Sequence, residues 1–256
     1  VLMACPTNQK MNVEAATRFV AEQMEKEFPL GILRDRSADV APLVRAESDY
    51  RKETLDRLLH LDTDRAPDAQ LDPAAPTVQL KMAGFGGQGV LSMGVILARA
   101  ACAAGKFTSW YPSYGPEQRG GTANCGVVIS GQPVGTPMVT EADVLVAMNR
   151  PSLEKFAGEV KPGGLLLYAA EIGEFPAPAG VRTLAVPALD LAKQGGNPRA
   201  ANVAMVGVLA GLDGFGLPET AYREALAANF AGKAKVVAQN EAVFALAKRW
   251  GEAHRA

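Results

Sequence analysis

The chain has 256 residues, 48% of them hydrophobic and 21% charged, with a formal net charge of −1. This composition suits one or two globular domains with a buried core, and the near-neutral charge argues against a nucleic-acid partner. Arg99 interrupts the longest apolar stretch, so no membrane span is expected. The separated cysteines, without a CxxC pair, and the two histidines, His60 and His254, argue against a metal site and are typical of a reduced, cytoplasmic protein.

The first 77 residues predict two helices and a linker. A helical apolar pattern runs over residues 13–28, with Asn12 as a plausible cap and Pro29 as a stop. A second, shorter helix is predicted over residues 49–61. Residues 62–77 are acidic and contain three prolines, which is typical of a linker.

From Val78 onward, strand-like and helix-like patterns alternate, which predicts an α/β fold. We expect a three-layer, mostly parallel sheet with helices on both faces, preceded by a helical N-terminal extension. Asn197 or Asn202 is expected to cap the helix near residue 200. Strands are predicted near residues 78–83, 107–111, 123–130, 143–148, 164–168 and 182–186. Helices are predicted near residues 88–104, 151–157, 200–212, 218–229 and 233–250.

The most informative segment is a glycine-rich run between the first predicted strand and the helix that follows it. Its spacing is G-x-G-x-x-G, which lets a strand turn sharply into a helix and lets an anion approach bare backbone. Because the first helix amides lack partners, we expect a phosphate or pyrophosphate there. The alternative is a turn needed only for strand–helix packing. The predicted binding residues of this segment are Gly84, Phe85, Gly86, Gly87, Gln88 and Gly89.

Neighbouring residues narrow the ligand. A Walker A loop requires Lys and then Ser or Thr, but Val90 and Leu91 follow the last glycine. An NAD site expects a carboxylate about 20 residues further on, and residues 107–112 contain none. A pyrophosphate ligand without that ribose contact remains open, and coenzyme A is one.

A second unusual loop, residues 113–121, follows the next predicted strand. It should lie beside the glycine-rich run of residues 84–89, the glycine loop. Arg119 is suited to clamp a phosphate or carboxylate, and Glu117 to orient it. A structural Glu–Arg pair that pins the loop at a subunit surface is an equally good interpretation. The residues of this loop that we predict to bind the cofactor are Tyr114, Glu117, Arg119, Gly120 and Gly121.

Together these segments resemble the gamma subunit, or gamma domain, of 2-oxoacid:ferredoxin oxidoreductases, in the style of the 2-oxoglutarate and branched-chain 2-oxoacid enzymes. The resemblance covers about residues 78–250, and Ser-Tyr-Gly-Pro-Glu-x-Arg-Gly-Gly is its most specific motif. The segments that carry it are GFGGQGV (84–90), YPSYGPEQRGGTANC (111–125), AMNRPSLEKF (147–156), VKPGG (160–164) and GNPRAAN (196–202).

The N-terminal part resembles the tail of the thiamine-diphosphate-binding beta subunit of the same enzymes, on Cys-Pro-Thr-Asn (5–8) and Phe-Pro-Leu-Gly (28–31). This resemblance implies three parts. Residues 1–36 would be the beta-type tail, residues 37–77 a short helix and linker, and residues 78–256 the gamma-type α/β domain. It also implies a piece of a fused beta–gamma polypeptide.

The resemblance implies a reaction in which a 2-oxoacid, CoA and oxidised ferredoxin give an acyl-CoA, CO2 and reduced ferredoxin. CoA would be the co-substrate bound here, whereas thiamine diphosphate and iron–sulfur clusters would lie elsewhere in the complex. The implied partners are an alpha (pyrimidine-binding) component, a beta component and ferredoxin. No catalytic residue is assigned, and the isolated chain is expected to be inactive. The alternatives are a structural interface domain and a nicotinamide-dependent dehydrogenase.

Overall fold

The computed structural model describes residue 72 and residues 74–114 and 122–255. The two helices predicted within residues 13–61, most of the predicted linker and residues 115–121 fall outside this range, so the predictions for them stay predictions. The strands are β1 (Val78–Phe85), β2 (Phe107–Tyr114), β3 (Thr122–Ser130), β4 (Ala142–Ala147), β5 (Val160–Ala169) and β6 (Arg182–Val186). The helices are α1 (Val90–Ala103), α2 (Arg150–Phe156), α3 (Ala188–Gln194), α4 (Ala201–Leu212), α5 (Glu219–Asn229) and α6 (Ala234–Ala253), with 3-10 turns at Ala157–Glu159 and Ala170–Ile172.

The strands form one sheet in the order β2-β3-β1-β4-β5-β6. β1, β4, β5 and β6 pair in parallel, whereas β3 runs antiparallel to both β1 and β2. The predicted mostly parallel α/β sheet is therefore confirmed. The antiparallel β3 has a simple cause, since only residues 115–121 separate it from β2, and a parallel crossover needs a dozen residues or more.

Helices cover both faces of the sheet, which confirms the three-layer architecture. On one face α1 and the C-terminal helices bury the larger core, in which Leu80 and Val146 are fully inaccessible to solvent. On the other face α2 packs Leu153 and Phe156 against Leu145 of β4. Successive side chains of a strand point to opposite faces of the sheet, so the apolar residues of β1 are divided between the two cores.

Two details of the C-terminal half differ from expectation. The seven-residue helix α3 was not predicted, and no side chain caps its N-terminus. Neither Asn197 nor Asn202 caps α4, so that prediction is wrong: the helix follows Ala200 and has no side-chain cap. Instead, the Oδ1 of Asn197 accepts a hydrogen bond from the backbone amide of Arg199 in a local turn, and its Nδ2 donates to Oδ1 of Asn240 in α6.

Candidate functional site

The glycine loop lies where two neighbouring parallel strands send their helices to opposite faces of the sheet. β1 leads through the loop into α1 on one face, and β4 leads into α2 on the other. The amide of Met148 donates to the carbonyl of Ala83, so the two strand ends stay together up to the loop. In open α/β sheets this switch point, beyond the carboxyl ends of the strands, is where ligands bind.

Two of the loop glycines are required by close packing. A Cβ on Gly84 would lie 2.7 Å from Val90 Cγ2. A Cβ on Gly89 would lie 2.5 Å from Asn202 Nδ2, and the φ angle of Gly89 is +74°, which disfavours other residues. For these two positions, packing alone explains the glycine.

Gly87 has a different environment. It is exposed, its φ angle is +95°, and no heavy atom lies within 4 Å of the Cβ that a side chain would add. Gly86 beside it is also exposed. The middle of the loop therefore presents bare backbone to open space, which is the arrangement that a bulky anion requires.

The start of α1 supplies the donors for such an anion. Gly89 is the N-cap residue, and its carbonyl accepts the first helical hydrogen bond, from the amide of Met93. The amides of the first turn consequently have no acceptor within the helix, and the helix dipole adds positive potential there. No acidic residue lies in this turn to compete with an anion.

The side chain of Gln88 is turned into the protein. Its Oε1 accepts from the amide of Phe85 at 2.7 Å and from Asn149 Nδ2 at 2.9 Å. Its Nε2 donates to the carbonyl of Met148 at 3.0 Å. The glycine loop is therefore tied to the end of β4 by Gln88, the one polar side chain among residues 84–89.

Asn149 and Asn202, which the sequence did not assign to the site, complete the surroundings of the loop. Asn149 caps α2 by accepting from the amide of Ser152, while its Nδ2 contacts Gln88. The Nδ2 of Asn202 lies 3.4 Å from the carbonyl oxygen of Gly89. Both asparagines belong to segments that carried the family resemblance, and that was the only signal available for them.

The second predicted loop begins and ends at the same edge of the sheet as the glycine loop. Tyr114 closes β2 opposite Ala123, and Thr122 opens β3 opposite Phe85. Glu117, Arg119, Gly120 and Gly121 lie outside the described residues, so their predicted roles stay predictions.

Other chemistry finds little support in the part of the chain that is described. The ends of β2 and β4 carry no carboxylate that would hold the adenosine ribose of NAD. Burial raises the pKa of the Cys125 thiol to about 12, so this thiol is neutral and a poor nucleophile near pH 7. Residues 74–114 and 122–255 contain no cluster of His, Cys, Asp and Glu suited to a metal ion. In the same two ranges, every helix is too short or too polar to cross a membrane.

The fold and the loop define an α/β protein with exposed glycine backbone at the switch point of its sheet. Residues 79–250, well over half of the chain, match the family described as pyruvate ferredoxin/flavodoxin oxidoreductase. The chain belongs to this family.

Relatives agree with this assignment. Ketoisovalerate oxidoreductase subunit VorA of Methanothermobacter thermautotrophicus is 52% identical over 250 residues, which cover 98% of this chain and 52% of that protein. The chain thus spans about half the length of this relative. The 2-oxoglutarate synthase subunit KorC of the same organism is 37% identical over 139 residues, covering 51% of this chain and 74% of that protein.

Two solved structures share the fold. The gamma subunit of a keto/oxoacid ferredoxin oxidoreductase from Geobacter sulfurreducens has a TM-score of 0.62 and 30% identity, over 70% of this chain and 98% of that one. The 2-oxoglutarate:ferredoxin oxidoreductase from Magnetococcus marinus, with 2-oxoglutarate, coenzyme A and succinyl-CoA bound, has a TM-score of 0.63 and 28% identity, over 69% of this chain and 31% of that one.

Proposed function

We propose that this chain is the gamma component of a 2-oxoacid:ferredoxin oxidoreductase and contributes CoA binding and subunit contacts. The whole enzyme would convert a 2-oxoacid, CoA and oxidised ferredoxin into an acyl-CoA, CO2 and reduced ferredoxin. Its alpha and beta components would hold the pyrimidine-binding and thiamine-diphosphate-binding sites. Family membership and the relatives that are named as subunits support this proposal.

The observation that carries the CoA assignment is the open backbone at Gly87 beside the free amides of α1. CoA brings a pyrophosphate, which matches these donors in charge and geometry. It does not need the ribose carboxylate that the neighbouring strand ends lack. The relative from Magnetococcus marinus, which holds CoA, supports the same assignment.

The site does not suggest any step of the chemistry for this domain. Thiamine diphosphate would supply the decarboxylation and iron–sulfur clusters would carry the electrons, both on other parts of the complex. This chain's own residues would bind and orient CoA so that its thiol reaches the acyl intermediate. The beta-type tail at residues 1–36 remains a prediction from sequence resemblance.

We infer a branched-chain 2-oxoacid as the substrate class. The relative at 52% identity is named for ketoisovalerate, whereas the relatives named for 2-oxoglutarate are less similar. Assaying the purified complex for CoA-dependent reduction of a low-potential acceptor tests this inference. Activity that is highest with ketoisovalerate is expected, and a preference for 2-oxoglutarate would contradict it.

The CoA assignment is tested with two variants of one residue, Gly87→Asp and Gly87→Asn. Asn and Asp are nearly the same size, and both tolerate a positive φ better than other side chains do. They therefore differ mainly in a negative charge placed at the open face of the loop. In the assembled enzyme we expect the Asp variant to bind CoA about tenfold more weakly than the Asn variant, an electrostatic cost of about 1.4 kcal/mol.

Added salt should narrow this difference, because the charge is exposed and therefore screened. Equal CoA affinity of both variants and the unchanged protein would remove the CoA role. It would favour the alternative of a structural interface domain, in which the glycine loop touches a partner protein.

A further inference from the structure

We infer that Gln88 and Asn149 act as positioning residues that hold the glycine loop in its binding conformation, and that neither contacts the ligand. This inference rests on the proposed CoA function and assigns a different task to Gln88, which the motif alone predicts as a contact. We call these two residues the Gln88–Asn149 latch. The name includes the hydrogen bond between their side chains and the bonds that each side chain makes to the backbone.

The hydrogen-bonding capacity of Gln88 is nearly exhausted within the protein. Its Oε1 has two lone pairs, and both are used, by the amide of Phe85 and by Asn149 Nδ2. One of its two N–H groups is used by the carbonyl of Met148. An anion accepts hydrogen bonds, and Gln88 has only its second side-chain N–H left to donate. Any further contact with an anion would require breaking the bonds that shape the loop.

The same bonds fix the turn that exposes the backbone. The amide of Gln88 donates to the carbonyl of Phe85 at 3.1 Å, and the side chain of Gln88 returns to the amide of Phe85. Residues 85 and 88 are therefore joined twice, which holds Gly86 and Gly87 between them in an exposed turn. Without the side-chain bond, this four-residue turn would keep only one internal restraint.

Asn149 links this turn to the second layer of helices. It is 8% exposed, its Oδ1 accepts from the amide of Ser152, and its Nδ2 donates to Gln88. One side chain therefore starts α2 on one face of the sheet and orients the loop that starts α1 on the other. The latch explains how two helices on opposite faces share one fixed crevice at their N-termini.

The two functions of Asn149 can be separated by substitution. Asn149→Ser keeps a good neutral N-cap for α2 but is too short to donate to Gln88. Asn149→Asp also keeps the cap and replaces the donor with an acceptor. Ser152→Ala is the matched control, because it alters the same helix turn while its backbone amide still donates to Asn149.

The first measurement is CoA affinity of the assembled enzyme by calorimetry. We expect Asn149→Ser to weaken CoA binding about threefold to tenfold, the range for one lost neutral hydrogen bond, with the KM for the 2-oxoacid unchanged. Ser152→Ala should bind CoA normally. In a Gln88→Ala background, Asn149→Ser should add no further loss, because the bond it removes is already gone.

The second measurement is amide hydrogen exchange in the protein without CoA. We expect faster exchange confined to the segment 85–89 in both Asn149→Ser and Asn149→Asp. A large loss of CoA affinity in Gln88→Ala, with normal affinity and normal exchange in Asn149→Ser, would overturn the inference and make Gln88 a ligand contact.

This outcome is distinguishable from failure of the proposed function. If Gly87→Asp and Gly87→Asn bind CoA equally, the loop does not hold CoA. Exchange in the segment 85–89 then still decides the positioning inference, since unchanged exchange in the Asn149 variants would refute it.

Discussion

Glycine serves opposite purposes in two regions of this molecule. In the glycine loop, Gly87 is exposed and nothing lies within 4 Å of the Cβ it lacks. Between α4 and α6, a Cβ on Gly211 would lie 2.1 Å from the carbonyl oxygen of Lys248, and one on Gly207 would lie 2.7 Å from that of Phe244. In the first region the space of the missing side chain stays open, whereas in the second its absence brings two helices into contact.

The space beside each glycine predicts whether its substitution changes ligand binding or stability. Where protein backbone fills the space of the missing side chain, a substitution should change stability. Where the space is open, it should change binding. Gly84 and Gly89 lie in the glycine loop, but neighbouring side chains fill the space beside them, so their substitution should change stability as well. Membership of the motif therefore does not show which glycine has open space beside it, whereas the local geometry does.

The largest effect is expected from Gly211→Ala. The added methyl group meets the backbone of Lys248, which cannot rotate away, so α4 and α6 must separate. We expect a loss of about 3 kcal/mol in the free energy of unfolding, at the upper end for overpacking. Chemical denaturation measures it. Gly214→Ala is the matched control, because no atom lies within 4 Å of its Cβ, and an equal loss there would break the comparison.

The next largest effect is expected from Asn197→Ala, in the turn between α3 and α4. It removes the partner of Asn240, whose side chain is 1% exposed and would be left with a buried, unpaired oxygen. We expect a loss of about 1–3 kcal/mol in the free energy of unfolding. CoA affinity should not change. If CoA binding weakens while the free energy of unfolding is unchanged, Asn197 affects the glycine loop rather than the packing of the C-terminal helices.

Asn202→Ala should lower CoA affinity rather than the free energy of unfolding, and the change should be smaller than that expected for Asn197→Ala. The carbonyl of Gly89 keeps its helical bond from Met93, so stability should hardly change. The loop loses the contact of Asn202 Nδ2 with that carbonyl, which at 3.4 Å is a long hydrogen bond. We expect CoA affinity to fall about threefold. Calorimetry measures it, and a loss of stability with normal affinity would place Asn202 in the packing category.

The smallest effect is expected from Arg223→Gln in α5. Its hydrogen bond to Glu219 is the main cause that lowers the pKa of this carboxyl group, and burial opposes it. The pair is half-exposed and spaced i,i+4, so we expect about 0.3 kcal/mol at neutral pH. Because the pKa of Glu219 is lower in the folded protein, this stabilisation is present above pH 4.5, its ordinary value, and disappears as the pH falls through the folded value.

Urea unfolding at pH 7 and at an acidic pH measures this dependence. The unchanged protein and Arg223→Gln should differ at pH 7 and converge in acid. If the difference in stability persists unchanged in acid, it arises from the packing of Arg223 over Phe244 and not from the ion pair.

Within the described residues, local patterns in the sequence predicted the strands, five of the six α-helices and the glycine loop between β1 and α1. They worked because alternation and helical spacing reflect which face of each element is buried. The short helix α3 was missed since seven residues give little periodicity and no side chain caps it. Asn202 was misread as a cap because Asn at a helix start usually is one.

The rest of the site could not be predicted from local patterns. Gln88 and Asn149 are 61 residues apart, and Asn202 and Gly89 are 113 apart. Such contacts depend on the tertiary arrangement, in which β4 lies beside β1 and α4 packs near α1. Nothing in the glycine motif distinguishes a glutamine that binds a ligand from one that binds the end of the neighbouring strand.

The measurement that tests the central claim most directly is amide hydrogen exchange of the assembled enzyme with and without CoA. If the glycine loop holds CoA, the amides of residues 86–91 should be protected when CoA is added, while those of α4 and α6 should not change. Protection of the loop by assembly alone, with no further change on adding saturating CoA, would contradict the account.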